Sequence, residues 1–412
     1  MQQQELIPHL FRTEFSKITA VLCRYFGMDH LDLAEDVASE TFLSAIETWP
    51  YKGIPQNPVA WLYKVAKNKA TNHVNRLHIF TGKIAPQLKK DTSEILGEEI
   101  DLSEKNITDS QLQMLFAICH PGISKEAQIG LALRILCGFG IDEIANAFLT
   151  SKDTINKRLF RAKEKLRIEK AAIEFPAPSE IDNRLDTVLT TLYLLFNEGY
   201  YSESQDTVLR KDLCLEAMRL CCLLIENKQT NTPTVNALLA LMCFHASRFD
   251  ARIDQHGEIV LYEDQDESLW SQELISKGFY YLHQASATNS ISKYYLEARI
   301  AFWHTQKADT KEKWEQILHL YNILLQLEYS PIAALNRTYA LSKTYGKPTA
   351  IEEAEKLKLT DNPYYFTLLG NLYTHIDNEL AKAHYQQALQ LAKTTADRKV
   401  ILGKIEGLGG AS

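Results

Sequence analysis

Phe139-Gly-Ile-Asp-Glu-Ile-Ala-Asn-Ala-Phe148, Leu149-Thr-Ser151 and Lys152-Asp-Thr-Ile-Asn-Lys-Arg-Leu-Phe-Arg-Ala-Lys-Glu-Lys-Leu-Arg167 read as a helix, a tight turn and a second helix. In the first helix Ile141, Ile144, Ala145 and Phe148 share a face. Ser151 is a good N-cap, because its hydroxyl can accept from a backbone N–H that the first helical turn leaves unbonded. In the second helix Ile155, Leu159, Ala162 and Leu166 recur at helical spacing and predict the buried stripe. Asn156, Lys157, Phe160 and Arg161 lie off that stripe. Asn and Lys near the start of such a helix can reach base edges in a major groove, while Arg158, Arg161 and Lys165 can reach phosphates. The plainer reading of the pair is a basic amphipathic hairpin that touches no DNA.

Outward from this pair, helical periodicity runs from end to end, and the expected fold class is all-α. One short hairpin, Glu258–Tyr262 after His256-Gly257, is the only strand-like exception. Pro and Gly fall at Pro50–Pro58, Thr81–Pro86, Pro121-Gly122 and Pro176–Pro178. They predict a helical block over 1–80, a linker over 81–107, a second block over 108–170, a linker over 171–185 and a large helical remainder over 186–412.

Charge sorts along these pieces. Asp29 to Pro50 holds six acidic residues and no Lys or Arg, whereas Tyr51 to Lys90 holds eight Lys or Arg and no acid. Asp91 to Ser110 holds seven acidic residues against Lys105, and Ser151 to Lys170 holds eight basic against three acidic. The formal net charge of −7 hides two separate basic segments, the footprint expected of two DNA contacts. For one such run alone, a solvated helix face is the commoner explanation.

The 412 residues, 45% hydrophobic and 24% charged, are enough for several ordinary cores. The seven cysteines are scattered, with no C-x-x-C and no zinc-finger His spacing, so they read as reduced thiols of a cytoplasmic protein with no metal. Met1–Phe15 lacks the pattern of a signal peptide, and no apolar run is long enough to span a membrane.

The first block is the most specific. Ala34-Glu-Asp-Val-Ala-Ser-Glu-Thr-Phe-Leu-Ser-Ala-Ile46 precedes Asn57-Pro-Val-Ala-Trp-Leu-Tyr-Lys-Val-Ala-Lys-Asn-Lys-Ala-Thr-Asn-His-Val-Asn-Arg76. This resembles the second region of the sigma-70 family's extracytoplasmic-function RNA polymerase sigma factors, and the helix-turn-helix resembles their fourth region. The resemblance implies that Asp36, Glu40, Phe42 and Leu43 dock on the β′ clamp helices of core polymerase. An acidic, partly apolar face suits a basic coiled coil. The family's Gln is Ser39 here. It implies further that Tyr51 and Asn57, in a Tyr51–Pro58 loop, with Lys67, Asn68 and Arg76 on the next helix, meet the melted minus-ten element of promoter DNA, where unstacked bases can be read. Ser151, Lys152, Asn156, Lys157, Arg158, Phe160 and Arg161 would meet the minus-thirty-five element, with the β flap as a second polymerase contact. Trp61, at W-L-Y spacing, belongs in the core.

Beyond Lys170 the chain resembles a subgroup with a C-terminal tetratricopeptide-like extension, through Leu192-Tyr-Leu-Leu-Phe-Asn-Glu-Gly-Tyr200, Leu239-Ala-Leu-Met, Leu261–Trp270 and Ser330-Pro-Ile-Ala-Ala-Leu-Asn-Arg337. Independently, Leu335, Asn336 and Tyr339 recur as Leu369, Gly370 and Tyr373 at an offset of 34, with Ala381, Tyr385, Ala388 and Leu389 completing a second repeat helix. Stacked helix pairs bind a protein or peptide partner on a concave side. Glu198, His245, Arg248, Asp254, Glu263, Asp264 and Asp266 gather near the expected hairpin and read as salt bridges plus an acidic loop, with neither a nucleophile–base pair nor metal spacing, so no enzyme and no cofactor are expected. The rival reading is a one-component helix-turn-helix regulator whose helical domain senses a ligand or protein. It would need no counterpart of Ala34–Arg76.

Overall fold

The computed structural model describes residues 3–84, 100–148, 150–200, 210–255, 260–287 and 291–409. Every regular element among them is a helix, so the fold is all-α, and the chain divides into two compact units, Met1–Leu194 and Leu195–Ser412. Ala85, Pro86, the acidic stretch over 91–99 and the start of the expected hairpin, His256 to Ile259, lie outside the described residues. The hairpin's last residue, Tyr262, opens a 3-10 turn, Tyr262–Asp264, and not a strand.

In the first unit α1 (Gln3–Phe26), α2 (Leu31–Lys52) and α3 (Pro58–Ile84) pack together around Phe15, Leu22, Trp49 and Leu62, all nearly inaccessible. Phe11 stacks on Phe15 at 4.7 Å, and Phe42 meets Phe11 edge-on at 5.1 Å, filling the α1–α2 seam. α2 stops where the Gly53 N–H donates to the Trp49 carbonyl at 3.0 Å, with Gly53 at φ 81°, a backbone that glycine adopts cheaply.

α4 (Glu104–Ile118) begins earlier than the predicted block because Ser103 caps it, accepting from the Asn106 N–H. It packs on α1, where Gln111 donates to the Ser16 hydroxyl at 3.5 Å and Arg24 donates to Asn106 at 2.8 Å. α5 (Lys125–Leu131) widens into a π turn, Ala132–Leu136, and the chain reverses through Gly138 at φ 69°. α6 (Ile141–Ala147) and α7 (Lys152–Ile168) then pack against each other, and Ser151 caps α7 by accepting from the Thr154 N–H. Ile155, Leu159, Ala162 and Leu166 are all buried, and each of the three larger side chains contributes roughly 1.5–3 kcal/mol by leaving water.

α8 (Ile181–Tyr200) crosses the division between units. Its first turns are tied to the first unit: Arg184 donates to the Phe116 carbonyl at 2.5 Å, and the Thr191 hydroxyl donates to Gln128 at 2.8 Å. Phe175, in the stretch read as a linker, meets Phe116 edge-on at 5.4 Å. These contacts explain why the division falls inside α8 and not at Pro176–Pro178.

The second unit continues with α9 (Lys211–Glu226), α10 (Pro233–Ala246), α11 (Gln272–Ala285), α12 (Lys293–Trp303), α13 (Lys311–Leu327), α14 (Pro331–Tyr345), α15 (Lys347–Leu357), α16 (Pro363–Tyr373), α17 (Asn378–Leu391) and α18 (Thr395–Gly409). α10 is apolar all round and is the unit's buried centre, packed by α9, α11 and α12. From α12 onward each helix packs on the next, an arrangement of successive helical hairpins around Ile317, Leu320, Leu335 and Leu369. Gly370 admits the Tyr385 ring so closely that a Cβ there would sit 2.5 Å from it, which lets α16 and α17 approach.

Candidate functional site

α2 has two faces. Ala38, Phe42, Ala45 and Trp49 point inward, and Asp36, Ser39, Glu40, Leu43, Ile46 and Glu47 are exposed. Leu43 and Ile46 are 51% and 52% exposed, so large apolar groups stand in water among three carboxylates. Phe42, expected on this surface, is 3% exposed and supports the face from beneath through Phe11 and Phe15. Ile7, Pro8, Phe11, Ser39, Phe42, Leu43 and Ile46 line an open depression of about 500 Å³ along the same side. Glu40 carries one ion pair, to Lys69 of α3 at 3.1 Å.

Tyr51 is 89% exposed at the end of α2, beside Lys52 and the Gly53 turn. Asn57 is committed locally: its side-chain oxygen accepts from the Ala60 N–H at 3.0 Å and caps α3. On α3, Lys64, Asn68, Thr71, Asn72, Asn75 and Arg76 are exposed along one side, and Lys67 is half-buried. The face is rich in amides and has no acid, a surface suited to phosphates and to the edges of unstacked bases. Trp61 is half-buried and edge-on to the buried Trp49 at 5.4 Å, a core role.

On α7, Ser151, Lys152, Asn156, Lys157, Phe160 and Arg161 are exposed, Phe160 at 65%. Arg158 is half-buried over the Phe148 ring at 5.5 Å, and Lys152 pairs with Asp142 at 2.5 Å. Ser124, Thr154, Lys157, Arg158, Arg161 and Lys165 line a depression of about 460 Å³ between α5 and α7, with cations on its walls.

The last turns of α7 do something the sequence did not announce. Lys163 reaches Asp32 at 2.7 Å and Glu35 at 2.5 Å, and Arg134 donates to the other Glu35 oxygen at 2.7 Å. Arg167 lies 3.8 Å from Asp29 and 3.9 Å from Asp32. Arg12 pairs with Glu143 at 2.6 Å and lies over the Phe139 ring at 4.4 Å. Glu35 is nearly inaccessible; burial works against the Lys163 ammonium, yet Glu35 and Asp32 hold its pKa above the ordinary lysine value. The second basic segment is thus split between an outward half and a half seated on α2.

Several of the charged residues singled out in the second unit have structural partners. Tyr339 donates to Glu263 at 3.0 Å, Asp266 caps a turn through the Ser268 N–H, and Arg248 lies over the Tyr262 ring at 5.3 Å. His245 is half-buried, and desolvation of its ring, with Arg248 beside it, pushes its pKa well down.

Residues 10–78, which are most of α1, all of α2 and most of α3, match the family described as sigma-70 region 2. An ECF RNA polymerase sigma-E factor of Haemophilus influenzae is 23% identical over 161 residues, 36% of this chain and 79% of that protein. An uncharacterized protein of Rhizobium meliloti is 35% identical over 395 residues, 94% of this chain and 92% of its own length, so the two belong to one family and are alike through both units. Residues 184–286 match a family of unknown function, DUF6596, spanning most of α8 through α11. No solved structure matches the chain. Among the described residues no helix is long and apolar enough to cross a membrane.

Proposed function

We propose that this protein is a promoter-specificity subunit of the extracytoplasmic-function type, which binds core RNA polymerase, reads minus-thirty-five and minus-ten elements, and assists melting without forming a covalent bond itself. The observation that carries the reading is the exposed acidic and apolar face of α2, within the residues that match sigma-70 region 2 and in the same unit as the basic helix α7, whose Lys157 and Arg161 are exposed. A regulator acting without polymerase has no use for Leu43 and Ile46 in water among Asp36, Glu40 and Glu47.

In this reading Asp36, Glu40 and Leu43 meet the β′ clamp helices over Phe42, and α7 lies near the β flap. Tyr51 and the α3 residues Lys67, Asn68 and Arg76 receive the melted minus-ten strand, while Asn57 shapes the loop as a cap. Ser151, Lys152, Asn156, Lys157, Phe160 and Arg161 face the minus-thirty-five duplex, with Arg158 held by Phe148. The stacked hairpins of the second unit, of tetratricopeptide type, serve a protein or peptide partner and make the first unit's activity conditional.

Co-elution of the full chain with purified core polymerase tests the reading. A stable complex that Asp36→Arg weakens supports it; no complex at any ionic strength contradicts it.

A further inference from the structure

Two cations are buried in the second unit without a counter-ion. Arg248, which follows α10, is 8% exposed, and Lys313, in the first turn of α13, is 1% exposed. Both lie against one ring: the guanidinium carbon of Arg248 is 5.3 Å, and the ammonium of Lys313 5.1 Å, from the centre of Tyr262. Among the described residues neither makes an ion pair. Arg248 donates to the Tyr200 hydroxyl at 3.4 Å, and Lys313 to the Tyr262 hydroxyl at 3.0 Å and the Gln306 carbonyl at 2.5 Å. The acids of the neighbourhood are committed elsewhere. Glu263 accepts from Tyr339 at 3.0 Å, Asp309 holds Lys343 at 3.1 Å and the Trp314 indole, and Asp266 caps its own turn. Burial pulls the Lys313 pKa from 10.5 to about 8; Asp309 opposes the shift and Arg248 adds to it. A fold that needed only filler here would use apolar side chains or pair each charge, since a buried charge is costly alone.

Three hydrogen-bonding atoms in the same place have no partner. Arg248 Nε, Trp270 Nε1 and Gln265 Oε1 are inaccessible and unbonded. Trp270 stacks on Tyr262 at 6.1 Å, and the Gln265 N–H donates to the Tyr262 carbonyl at 3.4 Å. Gln265 Nε2 donates to the Val260 carbonyl at 3.3 Å, which leaves its side-chain oxygen as an acceptor. Buried polar atoms are nearly always bonded, so three orphans and two unpaired cations around one ring specify an anionic ligand.

We propose that Arg248, Lys313, Tyr262, Gln265 and Trp270 form a binding site for the oxyanion of a small molecule, a carboxylate or a phosphate. The two cations answer its charge, and Arg248 Nε–H and Trp270 Nε1–H donate to its oxygens. Gln265 Oε1 takes an O–H of the ligand, as a hydroxy acid or a hydrogen phosphate offers. Tyr262, Gln265 and Trp270 ride on a loop of two 3-10 turns, Tyr262–Asp264 and Glu267–Leu269, whose remaining residues are exposed. The ligand enters by a shift of this loop, with the helices in place. Arg248 to Trp270 lie within the residues matched by DUF6596, and Lys313 lies beyond them. The inference goes beyond the function proposed above, and its test needs no polymerase.

Calorimetric melting and equilibrium dialysis of the full chain test it, with inorganic phosphate and, separately, glycolate as probes at constant ionic strength. At least one probe should bind saturably and raise the melting temperature of the second unit, because it binds the folded state alone. Binding of phosphate alone assigns the site to a phosphate, and of glycolate alone to a hydroxy acid. Arg248→Met and Lys313→Met, which remove the charge and keep an apolar stem, should each weaken binding several-fold and abolish the rise. Lys356→Met, at an exposed position, should change neither. If the first two variants fold poorly, Trp270→Phe decides, since it keeps a ring against Tyr262 and removes only the N–H donor. Several-fold weaker binding by that variant supports the site, and unchanged affinity overturns it. No saturable binding of either probe into the millimolar range, or binding that survives both Arg248→Met and Lys313→Met, also overturns it.

Discussion

Lys163 of α7 lies between two carboxylates of α2, 2.7 Å from Asp32 and 2.5 Å from Glu35, although 131 and 128 residues separate it from them in sequence. The two partners differ in burial, and the difference sets unequal costs. Glu35→Leu leaves Lys163 and Arg134 facing no buried carboxylate and should destabilise the first unit by about 3–5 kcal/mol. Asp32→Ala removes only an exposed partner and should cost under about 1 kcal/mol. Urea unfolding, followed by a probe confined to the first unit, reads both; equal costs would mean that the cluster is not organised around Glu35.

Asp36→Arg and Glu40→Arg should weaken association with core polymerase without lowering the melting temperature, because both side chains are exposed. The loss should shrink as salt rises and screens the facing charges. Leu43→Ser tests the apolar part of the same face and should weaken binding at every salt concentration, whereas Phe42→Ser should unfold the seam and cost about 3 kcal/mol or more in stability. Binding isotherms at low and high salt, paired with melting curves, separate these outcomes.

Lys157→Ala and Arg161→Ala should weaken binding to the upstream element, each costing roughly 1–3 kcal/mol if it reads a base and lowering the salt slope by about one if it holds a phosphate. Asn68→Ala should leave that binding unchanged and impair strand opening. Permanganate reactivity of the minus-ten region reads the second effect, and normal reactivity in the Asn68→Ala protein would remove this residue from the melting surface.

Acid should loosen the second unit first. Burial, reinforced by Arg248 and Lys313, pushes the His304 pKa from 6.5 to about 3, and burial depresses His245 as well. Both stay neutral in the folded state while the unfolded chain takes up protons below its own value. The stabilising contribution is therefore complete above pH 6.5 and drains as pH falls toward 3, by up to about 1.4 kcal/mol per pH unit for each histidine. His304→Phe, which keeps a ring against Tyr262 and Trp314, should flatten the dependence of melting temperature on pH. An unchanged slope would show that His304 is not the group taking up the proton.

Much of this was legible because helix periodicity is a local signal. The stripe Ile155, Leu159, Ala162 and Leu166 and the Ser151 cap follow from spacing alone. The inward position of Phe42 was also legible, since Ala38, Phe42, Ala45 and Trp49 repeat that same spacing; the neighbouring Leu43 drew both residues to the surface. The earlier start of α4 was signalled by Ser103 three residues before Asn106. What spacing could not carry was the choice of partners. Lys163 and Lys157 are equally basic positions of one helix, and only the fold decides that one meets Glu35 and the other meets water. The division inside α8 was hidden likewise, since Arg184 and Thr191 find Phe116 and Gln128 across dozens of residues.

Supplying core polymerase with a start site is the proposed activity, and it can be measured directly. Purified core polymerase should transcribe fragmented genomic DNA of the source organism with and without the full chain, with the 5′ ends of the products sequenced. Discrete start sites, sharing spaced upstream elements, should appear only when the chain is present and vanish with Asp36→Arg. The same scattered ends with and without the chain, from a polymerase preparation that a known sigma factor activates, would contradict it.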